Sequence, residues 1–196
     1  VQWMVDSSIA NGTSATCFSP ADPATRGQTA AFLWRMEGEP GATPHPFDDV
    51  IAAWQQGPVS WMFANGITTG TSATTYSPNR SVTRGELAAL LYRLAGEPSG
   101  SPAHPFGDVT AAWQQGPVSW MFANGITTGT SGTEFSPNQP VTRAQVATFL
   151  FRYQGEPNTA VDPTHPTNPW CEQQVLGPIA GYNSLFIGHS FFMPVA

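Results

Sequence analysis

At 196 residues and 40 % hydrophobic content, the chain is long enough to bury one core of ordinary size with a small appendix. A formal charge of −6 carried on only 10 % charged residues makes nucleic acid and anionic membrane surfaces poor partners. No apolar run approaches the roughly 20 residues needed to cross a bilayer, so membrane insertion is not expected.

Periodicity organises everything else. The string Trp61-Met62-Phe63-Ala64-Asn65-Gly66-Ile67-Thr68-Thr69-Gly70-Thr71-Ser72 returns letter for letter at Trp120 to Ser131. Arg84 and Arg143 lie 59 residues apart, and a looser copy from Trp3-Met4 through Thr25-Arg26 lies 58 residues before the second. A unit of this length is one supersecondary element that packs on its copies rather than a domain in its own right. The units span 1–40, 45–98 and 104–157. Nothing in the first matches Phe47-Asp48-Asp49-Val50 or Trp54 of the second, so the chain starts within a unit whose front is missing. Such a start reports nothing about a targeting sequence.

Each full unit reads as helix, polar loop, helix. In the second, His45-Pro46-Phe47-Asp48-Asp49-Val50 forms a leading turn, followed by a helix from about Trp54 to Asn65 with Pro58 in its opening turn and Gly66 as a left-handed cap. That helix is apolar nearly all round, which suits the inside of a bundle. The loop from Ile67 to Val82 is dense in Thr, Ser, Gly, Pro and Asn, residues that favour turns. Thr83-Arg84-Gly85-Glu86 then opens the second helix as a capping box, and Leu87, Leu90, Leu91 and Leu94 give it an apolar face at i, i+3, i+4 and i+7. Gly96-Glu97-Pro98 ends it. The third unit repeats the scheme with Thr142-Arg143-Ala144-Gln145 and an apolar face of Val146, Phe149, Leu150 and Tyr153. The first keeps Thr25-Arg26-Gly27-Gln28.

Beyond Pro157 the composition shifts. Residues 158–169 carry three prolines and no periodicity, as a linker does. Residues 170–196 hold a short strand candidate, Ser184-Leu185-Phe186-Ile187, running into Gly188-His189-Ser190. Cys17 and Cys171 are too few for a disulfide framework and lack metal-ligand spacing, which leaves the redox compartment open.

There is no lysine, and six of the seven arginines fall into two columns. Arg35, Arg93 and Arg152 sit near helix C-termini, where the macrodipole favours a cation. Arg26, Arg84 and Arg143 sit at the first helical position, where the same dipole opposes them by some tenths of a kcal/mol up to about 1 kcal/mol each. Two readings account for that cost. In one, a guanidinium beside open helix N–H groups seats a carboxylate or phosphate; Arg84→Gln would then leave stability unchanged or slightly raised and weaken binding. In the other, each arginine pairs with Asp49 or Asp108, and the same change lowers stability.

The order Phe-x-Asp-Val, Trp, an apolar helix ending Asn-Gly-Ile-Thr-Thr-Gly-Thr, Phe/Tyr-Ser-Pro-Asn and Thr-Arg-Gly/Ala-Glu/Gln resembles that of S-layer homology domains, over residues 1–157. The resemblance implies an all-α, pseudo-threefold bundle of three helix-loop-helix repeats. It implies a non-catalytic, extracellular module that binds secondary cell-wall polysaccharide, often pyruvylated, in grooves between the repeats. Carried over, the ligand residues are Arg26, Arg84 and Arg143 with Gly27, Gly85 and Ala144. The chain departs from the pattern where Gln28 and Gln145 replace the usual Glu; Gln also closes a capping box, so the helix starts are expected to survive.

Trp3, Trp61 and Trp120 are either core residues or platforms for sugar rings. His45 and His104 lack companions at metal-ligand spacing, so no metal is expected, nor any cofactor. The Gly70-Thr71-Ser72 loops lack the lysine and spacing of a phosphate loop. The tail carries a reading of another class. A strand followed by Gly188-His189-Ser190 resembles the first block of the SGNH (GDSL-like) hydrolases, with Ser190 as nucleophile and His189 where Asp is usual. The base and the oxyanion hole that a serine nucleophile needs are supplied by later blocks absent from these residues. On that reading residues 1–157 locate a secreted esterase or hydrolase.

Overall fold

The computed structural model describes residues 1–14 and 17–157. The linker, the strand-like tail and Ser190 lie outside the described residues. Among the described residues there are six helices and no sheet: α1 (Gln2–Asp6), α2 (Arg26–Met36), α3 (Ala53–Ala64), α4 (Arg84–Leu94), α5 (Ala112–Ala123) and α6 (Arg143–Tyr153). None is long and apolar enough to cross a membrane.

The starts of α2, α4 and α6 follow from local chemistry. Thr25, Thr83 and Thr142 each accept the N3 amide, and Gln28, Glu86 and Gln145 reach back to the cap amide, so all three capping boxes are closed. The remaining orphan donors are taken by distant carbonyls. The amides of Arg26 and Gly27 donate to Arg80 and Pro78, those of Arg84 and Gly85 to Gln139 and Pro137, and those of Arg143 and Ala144 to Asp22 and Pro20. α3 and α5 end in Schellman motifs: Gly66, at φ +68°, donates to the Phe63 carbonyl and Ile67 to Met62, with Gly125 and Ile126 repeating the pattern.

α3 differs from expectation in two respects. It starts one residue early, at Ala53, which puts Pro58 in its second turn rather than its opening one. It is also less enclosed than its composition suggests: Val59 and Met62 are fully buried, whereas Trp54 and Phe63 remain exposed. Phe63 covers the edge of the leading turn, its ring 5.4 Å from that of Phe47.

Helices pack as α2 with α3, α4 with α5, and α6 with α1. Each pair joins the second helix of one unit to the first helix of another. The short α1 meets α6 edge to face through Trp3 and Phe151, with ring centroids 5.6 Å apart. At the centre three fully buried residues form a closed circuit of backbone hydrogen bonds: Ala24 donates to Val141, Val141 to Val82, and Val82 to Ala24. Leu87, Leu91, Val146 and Leu150 are fully buried around it, each contributing about 1.5–3 kcal/mol by removal from water.

The leading turns act within their own units. Asp49 accepts from the amides of Tyr76 and Ser77 at 2.8 and 2.7 Å, and Asp108 from Phe135 and Ser136 at the same distances. This overturns the expectation that these carboxylates pair with the helix-opening arginines.

Candidate functional site

The three helix-opening arginines are brought to equivalent places, each against a loop of another unit. Arg26 Nε donates to the Tyr76 carbonyl at 2.8 Å, Arg84 Nε to Phe135 at 2.6 Å, and Arg143 Nε to Phe18 at 2.8 Å. Each guanidinium also lies over the ring of the same aromatic residue, 4.5–4.7 Å from its centroid. Arg84 and Arg143 have a second ring 5.2 and 5.4 Å away, Phe149 and Phe32 respectively. With exposures of 4, 1 and 3 %, these are interior cations whose dipole penalty is offset by a carbonyl and a π-face.

The notion of open helix N–H groups beside these arginines does not hold. The amides of Gly27, Gly85 and Ala144 are bonded to loop carbonyls, so the helix ends offer no vacant anion seat. What the glycines provide is clearance. A Cβ on Gly27 would lie 2.5 Å from Gln55 Nε2, and one on Gly85 2.5 Å from Gln114 Nε2.

Trp61 and Trp120 are 6 and 7 % exposed. The Trp120 ring packs between Tyr92 and Tyr153, centroids 5.8 and 6.1 Å away. Exposed aromatic faces come instead from Trp54 and Trp113, at 50 and 53 %. Sequence reasoning passed over these two; the signal was their place one turn outside the buried Val59–Met62 face. His45 and His104 each accept a nearby amide at Nδ1, from Phe47 and Phe106, and stack on those rings. Cys17 is disulfide-bonded, and Cys171, the other cysteine, lies outside the described residues.

A cleft of about 150 Å³ lies where α2 faces α3. Arg143, Arg35, Trp54 and Gln28 line it, with Asn11 and Thr13 of the first loop at its rim. Arg143 Nη2 donates to the Asn11 carbonyl at 3.1 Å, and no carboxylate lies within 4.0 Å of its guanidinium among the described residues. Burial lowers the Arg143 pKa from its usual value, with Asp22 acting against the shift. A cation shielded from water, a second arginine and an open indole face therefore converge in one cleft. That set can hold a carboxylate on a sugar ring.

Comparison with known proteins identifies the repeats. Residues 46–88 and 105–147 match the model of the S-layer homology domain, so the chain carries repeats of that domain. It is 36 % identical over 108 residues to an endoglucanase of Bacillus sp. (strain KSM-635), covering 55 % of this chain and 11 % of that protein. It is 32 % identical over 162 residues to the surface-layer 125 kDa protein of Lysinibacillus sphaericus, covering 78 % of this chain and 13 % of that protein. An S-layer protein of Bacillus thuringiensis subsp. finitimus is 26 % identical over 168 residues, covering 82 % of this chain and 20 % of that protein. The chain thus matches a fifth or less of the length of each of these relatives.

Proposed function

We propose that residues 1–157 form a cell-surface anchoring module that binds an acidic secondary cell-wall polysaccharide, pyruvylated ones included, in clefts between three units arranged with pseudo-threefold symmetry. The observation that carries this reading is the cleft at Arg143, where two arginines and the open face of Trp54 converge. The chain is similar both to a surface-layer protein and to an endoglucanase, over a small part of the length of each, as an anchoring module shared by proteins with different further roles would be. The cyclic pairing of helices, the closed hydrogen-bond circuit of Ala24, Val82 and Val141, and the recurrent docking of Arg26, Arg84 and Arg143 support the threefold arrangement. In this reading Arg26, Arg84 and Arg143 mark the three sites. Gly27, Gly85 and Ala144 let the neighbouring helices approach, and the buried Trp61 and Trp120 serve packing rather than sugar stacking.

The module should co-sediment with purified bacterial cell walls, and mild acid extraction of secondary polysaccharide from the walls should abolish this. Retention on the extracted peptidoglycan alone would overturn the reading. Trp54→Ala should weaken sedimentation by roughly tenfold, the loss of one aromatic stacking contact of about 0.5–1.5 kcal/mol together with its buried area.

A second reading keeps the anchor and adds an activity. Gly188-His189-Ser190 following an apolar stretch supports a secreted SGNH-type esterase with Ser190 as nucleophile, located by the repeats. Labelling of the protein that carries this chain with a fluorophosphonate probe, lost on Ser190→Ala, is the expected result. An unlabelled protein removes this reading and leaves the anchor intact.

A further inference from the structure

The sites at Arg143 and Arg26 occupy equivalent places but differ in charge at two positions. Beside Arg143 stand Asp22 and Gln28; at the corresponding positions beside Arg26 stand Arg80 and Glu86. Arg80 is the one arginine outside the two columns. It donates from Nη1 to Glu86 Oε2 at 3.2 Å and from Nη2 to Glu86 Oε1, a bidentate fork on the carboxylate. The same Oε1 lies 3.5 Å from Arg26 Nη1, and Oε2 accepts the Thr83 cap amide at 2.9 Å. A carboxylate is thus fixed between two guanidinium groups by four contacts. Among the described residues Arg143 has no such partner. Its bonds go to the neutral carbonyls of Phe18 and Asn11, its faces to Phe18 and Phe32, and Gln28 stands uncharged in the cleft wall. The Asp22 backbone carbonyl accepts the Arg143 amide, but its solvent-exposed carboxylate acts on the guanidinium only through space, beyond ion-pair distance.

We propose that Glu86 is a built-in carboxylate that fills the anion seat at Arg26, so that the module takes a carboxylate-bearing sugar at the Arg143 cleft in preference to the Arg26 site. The proposal rests on the anchoring function stated above and refines it: the two sites share a fold and differ in whether the acid comes from the ligand or from the chain. A ligand carboxylate arriving at Arg26 must displace a carboxylate already held by a fork and a backbone amide, and that exchange gains little. At Arg143 it meets a guanidinium whose hydrogen-bond partners are neutral carbonyls. The Arg26 site therefore contributes shape and packing, while the Arg143 cleft contributes charge recognition.

The chain itself supplies conservative test substitutions. Gln closes the capping box at Gln28 and Gln145 and Glu closes it at Glu86, so exchanging one for the other preserves the helix start. The 196-residue chain, Glu86→Gln and Gln28→Glu are each titrated calorimetrically with the polysaccharide released from bacterial walls by mild acid. Parallel thermal melts report whether each variant is folded. Glu86→Gln is expected to strengthen binding at least threefold or to add a binding site, because Arg26 and Arg80 are freed together. Gln28→Glu is expected to weaken it at least tenfold, because the introduced acid meets Arg143. A wild-type chain that binds while both variants stay within twofold of it overturns the assignment and leaves the anchoring function standing. So does a Glu86→Gln chain that binds more weakly. If one variant does not fold, the other decides alone, since each predicts a change of opposite sign. A wild-type chain that does not bind at all brings down both.

Discussion

At the scale of the residue, the helix-opening arginines show how a local cost is met by distant partners. Arg84 is almost fully enclosed, bonded to the Phe135 carbonyl and flanked by two rings. Arg84→Gln removes a charge-assisted hydrogen bond, about 1.5–3 kcal/mol, and a cation–π contact of about 0.5–2 kcal/mol, while relieving a dipole penalty of less than about 1 kcal/mol. A net loss of roughly 2–4 kcal/mol should lower the melting temperature by roughly 5–15 °C. An unchanged melting temperature would show that the rings and carbonyl do not compensate the buried charge. For this reason the arginines themselves are poor probes of binding; Trp54 and Gln28 separate binding from folding better. Glu86 gives a pH test of the same neighbourhood. Burial works to raise its carboxyl, but the Arg80 hydrogen bond, the Thr83 amide and the charges of Arg26 and Arg80 outweigh it and hold the pKa below the ordinary 4.5. A group whose pKa is depressed by folding contributes stability above its unfolded pKa and loses it as pH falls through the folded one. The wild-type chain should therefore melt higher than Glu86→Gln at neutral pH, with the gap closing progressively below about pH 4.5. A gap that persists at pH 2–3 would mean that the contribution of Glu86 is not electrostatic.

At the scale of the element, the contrast between Gly27, Gly85 and Ala144 is a packing matter. The first two are buried beneath Gln55 of α3 and Gln114 of α5, whereas Ala144 is half-buried. At the start of α6 a methyl group is accommodated, since Ala144 stands there within a closed capping box. Gly85→Ala should destabilise the protein by about 1–2 kcal/mol. Its Cβ would press on the Gln114 amide at 2.5 Å, which can shift, and on the Pro137 carbonyl at 3.1 Å, which cannot easily do so. Ala144→Gly should cost no more than the usual helix penalty of about 1 kcal/mol. Equal effects at the two positions, measured by denaturant unfolding, would remove the packing explanation.

At the scale of the whole molecule, the helix pairing α2–α3, α4–α5 and α6–α1 returns to its start instead of running on as an open stack. An open stack can lose its terminal unit and keep the rest, because each unit touches only its neighbours. Here removal of residues 104–157 strips Ala24 of its acceptor on Val141, Arg84 of the Phe135 carbonyl and ring, and α1 of α6. A chain of residues 1–98 should accordingly fail to show cooperative thermal unfolding, while residues 1–157 unfold in one transition. A stable, cooperatively melting 1–98 fragment would argue for independent stacking.

Features that depend on neighbours within a few residues were determined by the sequence alone: the three capping boxes with either Gln or Glu at N3, the left-handed caps at Gly66 and Gly125, and the buried faces of α4 and α6. Spacing of three to four residues encodes these directly, and the exact recurrence of one string made the units plain. Which face of α3 stays exposed was not legible, because its composition is apolar nearly all round and only the neighbour decides what is covered. Nor was the role of the arginine column. The carbonyl and aromatic partners shared by Arg26, Arg84 and Arg143 lie 50, 51 and 125 residues away along the chain and carry no charge that the sequence could point to; the carboxylate beside Arg26, Glu86, belongs to the capping box of another unit. The dipole argument correctly showed that each cation needed a partner. Only the tertiary structure could decide that the partner is the loop of another unit, since loop carbonyls become acceptors for an arginine when the fold has already turned them inward.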